Sequence, residues 1–154
     1  MAHAPYVAVV GPGDASPEEV SAAAAIGLRL AHSGAIVVCG GLSGVMAAAC
    51  RGAASAGGLT VGILPGAERS AANQWVQIAI PTGLGELRNG LIIRSADVVI
   101  AVGGAYGTLS EVALALKTGV PVVGLHTWPI EGIEPAASPE AAVEQALEVA
   151  RSQT

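Results

Sequence analysis

The sequence predicts an α/β fold, a single doubly wound domain over residues 1–154 with a mainly parallel sheet. Three observations carry this. Short apolar runs alternate with helix-length stretches along the whole chain. The run at residues 98–102, Val-Val-Ile-Ala-Val, is apolar throughout, as a parallel strand covered on both faces must be. Glycine- or proline-bearing turns punctuate the boundaries.

The elements follow in order. Residues 7–10 form a strand, and Gly11-Pro12-Gly13-Asp14 turns the chain. Ser16, Pro17 and Glu19 supply three helix-start signals at once: an N-cap, a proline at the first position and a glutamate at the third. That helix ends near Gly34. A strand at 36–39 leads into Gly40-Gly41-Leu42-Ser43-Gly44, then an alanine-rich helix to about residue 56, stopped by Gly57-Gly58. Residues 61–64 are a strand closed by Pro65-Gly66. The stretch 67–75 is a loop or a short helix. Residues 76–80 are a strand, 84–94 a helix, and 98–102 the central strand. A helix from about 109 to 117 stops at Gly119, with Pro121 just beyond. A strand at 122–125, a proline-bearing loop over 126–137, and a final helix capped by Ser138-Pro139-Glu140 complete the chain.

Composition narrows the function. The net charge of −5, with lysine and arginine scattered, argues against nucleic acid, which needs a basic face to displace counterions. The longest uncharged apolar stretch, 30–50, is interrupted by His32, Ser33, Gly34, Gly40, Gly41, Ser43 and Gly44, so no membrane span is expected. No signal-peptide pattern is read at the N-terminus, and a cytoplasmic location is expected. Cys39 and Cys50 form no metal or redox spacing and are expected to be reduced, buried small residues.

Two turns echo each other: Gly40-Gly41-Leu42-Ser43-Gly44 and Gly103-Gly104-Ala105-Tyr106-Gly107-Thr108. Each follows an apolar strand and opens a helix, at the sheet edge where ligands of doubly wound folds bind. Glycine there permits a tight bend on its own. It also lets backbone N–H groups and the positive end of the helix dipole approach an anion, for which phosphate is the leading candidate. Neither turn is a dinucleotide or Walker fingerprint. Glu18 and Glu19 would repel an anion from the first helix, whereas the helices after Gly44 and Gly107 begin largely uncharged. Glu111 has a local explanation as the third residue of a Thr108-Leu109-Ser110-Glu111 capping box, and a functional one as a carboxylate beside the anion. Arg88 falls within the stripe Leu84, Leu87, Leu91, Ile92, where a guanidinium needs a partner or a wet pocket. Ile93 lies opposite that stripe, which suggests a covered face and a homo-oligomer.

Arg88-Asn89, then Gly104-Ala105-Tyr106-Gly107-Thr108-Leu109-Ser110-Glu111, together with Gly40-Gly41-Leu42-Ser43-Gly44-Val45-Met46, resemble the Lonely Guy (LOG) superfamily over most of the chain. Its pattern is an Arg-Lys pair, an apolar strand, then P-G-G-x-G-T-x-x-E. The resemblance implies a Rossmann-like domain and a homodimer with sites near the interface. It also implies hydrolysis of the N-glycosidic bond of nucleoside 5′-monophosphates, with no cofactor required. Glu111 would then stabilise positive charge on the sugar or orient the water, and Arg88 would hold the phosphate or ribose and keep Glu111 ionised. Gly103 stands at the pattern's proline, Ala105 at its second glycine and Asn89 at its lysine. In these departures the chain is more similar to the branch that includes molybdenum-cofactor carrier proteins, which bind a phosphate-bearing pterin without turnover. Hydrolysis, carriage and a regulatory nucleotide site are the three functions left open. The lysine decarboxylase label used for some LOG proteins fits poorly, because the single lysine, Lys117, lies at the far end of its helix.

Overall fold

The computed structural model describes residues 3–153, so residues 1, 2 and 154 of the expected domain lie outside the described residues. Seven strands form one sheet in the order β4-β3-β2-β1-β5-β6-β7, every neighbouring pair parallel. They are β1 (Tyr6–Val10), β2 (Ile36–Cys39), β3 (Thr60–Leu64), β4 (Ile78–Pro81), β5 (Val98–Val102), β6 (Val122–Leu125) and β7 (Ile133–Pro135). The helices are α1 (Pro17–His32), α2 (Val45–Ser55), α3 (Asn89–Arg94), α4 (Tyr106–Thr118) and α5 (Pro139–Ser152).

The alternation of side chains along each strand separates two cores. Val7, Val9, Val98 and Ile100 pack under α1, α2 and α5. Ala8, Val10, Val99 and Ala101 pack under α3 and α4. α1 and α2 approach closely because both are built from alanine and glycine: a Cβ on Gly27 would lie 2.0 Å from the Ala49 carbonyl oxygen. α1 opens with the expected reciprocal cap, Ser16 Oγ accepting from the Glu19 N–H and Glu19 accepting from the Ser16 N–H. No helix among the described residues is long and apolar enough to cross a membrane.

Four expectations need correction. The loop at 126–137 contains β7, a short edge strand that pairs with β6. Its Pro135 is tolerated because an edge strand leaves one row of N–H groups unpaired. The helix expected over 84–94 begins as a 3-10 turn (Gly85–Arg88) and becomes α-helical only at α3. Gly83 and Gly85 both hold positive φ and delay regular helix, and the tighter winding rotates the expected stripe. Leu84, Leu87 and Leu91 are exposed, whereas Ile92 and Ile93 are both fully buried, so Ile93 covers no outer face. Finally, α4 starts at Tyr106 rather than near 109, which changes the reading of Glu111 below. The undecided stretch 67–75 holds one 3-10 turn, Arg69–Ala71.

Candidate functional site

The chain runs outward from β1 to β2, β3 and β4 on one side, and from β5 to β6 and β7 on the other. A crevice therefore opens beyond the carboxyl ends of β1 and β5, the topological switch point where open α/β sheets bind ligands. A cleft of about 180 Å³ lies there, lined by Gly11, Pro12 and Gly13 after β1, Ala105, Gly107, Thr108 and Glu111 from the turn and α4, and Met46, Arg88 and Asn89.

The N-terminus of α4 is the electropositive wall. Its N-cap is Ala105, and no side chain caps it. The first-turn N–H groups thus keep no intrahelical partner, and the helix dipole adds positive potential. Thr108, at the third helical position, is 1% exposed, and its Oγ1 is a buried oxygen with no hydrogen-bond partner. A buried hydroxyl left unpaired costs about 1–3 kcal/mol.

Because α4 begins at Tyr106, Thr108 is not the N-cap and Glu111 is the sixth helical residue. The capping box expected there does not form. Glu111 instead enters the cleft, 8% exposed. Burial pushes its carboxyl up from 4.5 to about 7, and the Arg88 guanidinium only partly offsets this. Arg88 acts toward ionisation of Glu111, as expected, but desolvation is the larger of the two effects.

Arg88 is 9% exposed and held from three sides. Its Nε–H donates to the Ile63 carbonyl at 2.9 Å, one terminal nitrogen to the Gly40 carbonyl at 3.4 Å, and the other to Asn89 Oδ1. A guanidinium has five N–H donors, so two remain for a ligand. Desolvation lowers the Arg88 pKa from its usual value, with Glu111 acting in the opposite direction. Asn89 passes the contact on: its Nδ2 donates to Ser110 Oγ at 3.2 Å, and Ser110 donates to the Gly107 carbonyl at 2.7 Å. Arg88 is thereby tied to the glycine turn.

In the second glycine turn several polar groups are engaged within the protein. The Gly41 N–H donates to Cys39 Sγ, the Val45 N–H to the Pro12 carbonyl, and Ser43 Oγ to the Gly13 carbonyl. Gly44, at φ 66°, presses so closely on the Gly11–Gly13 turn that a Cβ would lie 2.2 Å from the Pro12 oxygen. Gly40 leaves room for Arg88 and Met46, and Gly41 for Leu64. The turn thus braces the cleft and seats Arg88. Gly103, at φ 68°, packs against Glu19, and Gly104 against Trp128, so neither lines the cleft. Sequence reasoning missed Asn89 and Ser110 as a relay, and the Gly11–Gly13 turn as a wall. The switch-point rule that selected the other two turns applies equally to the one after β1. Cys39 and Cys50 are free, buried and in contact behind the second turn, their sulfurs 3.4 Å apart.

The model of the SLOG cluster4 family matches residues 4–153. The chain belongs to that family. It is 42% identical over 138 residues to a protein of Archaeoglobus fulgidus, covering 89% of this chain and 91% of that protein. Among solved structures, it superposes with a TM-score of 0.92 and 38% identity on the molybdenum cofactor binding protein of Rippkaea orientalis, over 97% of this chain and 99% of that one. The molybdenum cofactor carrier protein of Chlamydomonas reinhardtii is 36% identical with a TM-score of 0.88, over 96% and 98% of the two chains. The resemblance drawn from Arg88, Glu111 and the glycine turns therefore holds, on the branch near the cofactor carriers.

Proposed function

We propose that this SLOG protein binds a phosphate-bearing pterin of the molybdenum-cofactor type and carries it without turnover. The carrying observation is the uncapped N-terminus of α4, together with Thr108, a residue of the cleft wall whose hydroxyl is buried and unpartnered. The first-turn N–H groups and Thr108 would hold the phosphate oxygens, and the two remaining N–H groups of Arg88 would reach the same group. The similarity to cofactor-binding and carrier proteins supports the pterin as cargo. The protonated form of Glu111 suits a neighbouring dianion, since a carboxylate there would repel it.

The test is Thr108→Val with sulfate or ribose 5-phosphate as ligand. The substitution replaces the hydroxyl by a methyl group of similar size, so stability is expected to hold within about 1 kcal/mol or to rise, while affinity falls about tenfold. Loss of stability with unchanged affinity would assign Thr108 to the fold alone.

One observation favours a second reading, hydrolysis of a nucleoside 5′-monophosphate: a carboxyl with a pKa of about 7 shares the cleft with an arginine. A carboxyl titrating there suits proton transfer at neutral pH. Incubation with AMP separates the two. Carriage predicts no free base. Hydrolysis predicts adenine and ribose 5-phosphate, with turnover lowered about a hundredfold in Glu111→Gln. We also propose a homo-oligomer, formed through the exposed leucines beside Arg88, around a groove whose lining includes the buried Ile93.

A further inference from the structure

The chain has two tryptophans, two tyrosines and no phenylalanine. One of each meets at the turn that opens α4. Tyr106 is the first residue of that helix, between Ala105 and Gly107, which both line the cleft. Yet Tyr106 itself is 84% exposed. Trp128, on the connection from β6 to β7, stacks against it with ring centroids 6.4 Å apart and planes inclined by 26°. The indole is fixed: its Nε1–H donates to the Ala105 carbonyl at 3.2 Å. Gly104 makes room for it, since a Cβ there would lie 2.9 Å from Nε1.

Leaving a tyrosine ring this open forfeits the gain from burying it. Here the cost falls between two residues of the cleft wall, Ala105 and Gly107, with one ring braced by another. The cleft, at about 180 Å³, is smaller than the roughly 300–1,000 Å³ usual for ligand pockets, which suits a phosphate inside and a fused ring at its edge. Tyr106 does not itself line the cleft, but it stands in the chain between two residues that do, Ala105 and Gly107, and presents a flat, exposed ring.

We propose that Tyr106, backed by Trp128, is the stacking platform for the planar fused ring of a ligand whose phosphate sits at the N-terminus of α4. This rests on the phosphate reading above and adds the ring's place and its mode of recognition. A ring read by its face is accepted for its π system rather than for its edge pattern, so purine and pterin phosphates share the platform. Gly104 is accounted for as the residue that admits the indole.

The experiment measures the affinities of ribose 5-phosphate, GMP and neopterin monophosphate by calorimetry. It also follows quenching of Trp128 by GMP in a Trp75→Phe background, where Trp128 is the remaining tryptophan. The two ring-bearing ligands are expected to bind about tenfold tighter than ribose 5-phosphate, and GMP to quench the indole emission. Tyr106→Ala should erase that advantage and leave ribose 5-phosphate unchanged, while Tyr106→Phe keeps it. A wild-type protein that binds all three equally overturns the platform and leaves the phosphate site standing. So does a Tyr106→Ala variant that keeps the advantage, or one that weakens all three ligands alike, which would assign Tyr106 to the turn. Failure of ribose 5-phosphate and sulfate to bind at all overturns the phosphate reading, and the platform with it.

Discussion

Glu111 is where burial and charge compete most directly. Its carboxyl is raised from 4.5 to about 7 because desolvation outweighs the attraction of Arg88. Below about pH 4.5 the group is protonated folded or unfolded, and its contribution is fully present. Between about 4.5 and 7 the unfolded carboxyl ionises while the folded one stays protonated, so stability falls as pH rises. The loss amounts to about 3 kcal/mol and is complete once pH passes the folded value. Glu111→Gln keeps the shape without the charge. Urea denaturation at pH 5 and pH 8 should therefore show the wild type losing stability relative to the variant, and parallel profiles would refute the shift. A second measurement reads the same proton from the ligand side. Sulfate holds its charge from about pH 6 to pH 8, so any change in its affinity belongs to the protein. Wild-type affinity should rise as pH drops through about 7, as Glu111 takes up its proton. The glutamine variant should show the low-pH affinity at every pH. A flat wild-type profile would place Glu111 away from the anion.

At the scale of elements, the pairing of α1 with α2 turns an ordinary propensity rule around. Alanine in place of glycine within a helix normally stabilises by about 1 kcal/mol. At Gly52 the new Cβ would lie 2.0 Å from the Ala24 carbonyl oxygen, a backbone atom that cannot step aside alone. Gly52→Ala is expected to destabilise by about 1–3 kcal/mol, because the helices must separate. Gly90 in α3 has open space, and Gly90→Ala should follow the rule and stabilise by about 0.5–1 kcal/mol. The order of their urea midpoints around the wild type tests both. Such close contacts were legible only as an alanine- and glycine-rich composition, since sequence does not say which residue meets which backbone. The strands β1, β2, β5 and β6 were legible because each is an apolar run bounded by turn residues. The central strand, turn and helix were legible for the same reason, and the cleft with them. The start of α4 was not: Thr108-x-x-Glu111 satisfies a local capping pattern, but Gly103 and Gly104 let the chain turn earlier, so α4 begins at Tyr106. Arg88 is buried and lines the cleft, but not for the reason the stripe gives. The leucines that defined its stripe face outward, and Ile92, four residues on, is the neighbour it shares the interior with.

For the whole molecule, the position of Arg88 joins the cleft to the outer surface. The 3-10 turn Gly85–Arg88 carries the buried Arg88 and, one residue before it, Leu87, which is 80% exposed. Leu84 and Leu91 flank Leu87, and Leu114 of α4 is exposed beside them around a shallow groove that also includes Gly90 and Arg94. A cluster of leucines open to water marks an interaction surface more readily than isolated ones do. A second copy of the chain is the proposed occupant, because a two-fold contact would set the two leucine clusters against each other. Fully burying a leucine contributes about 1.5–3 kcal/mol, and across a two-fold axis each substitution acts twice. Leu87→Glu should therefore weaken association by about a hundredfold or more. Leu87 is exposed in the single chain, so the variant is expected to fold with a wild-type melting profile at concentrations where both are monomeric. Light scattering over a dilution series is the measurement. A wild-type mass of one chain at every concentration would remove the homo-oligomer, and an unaltered dissociation constant in Leu87→Glu would move the interface elsewhere. Sulfate affinity adds the link to the site. If the contact holds the 3-10 turn in place, Arg88 is held with it, and the dissociated variant should bind sulfate less tightly than the assembled wild type. Equal affinities would show that the guanidinium is held by Ile63, Gly40 and Asn89 alone.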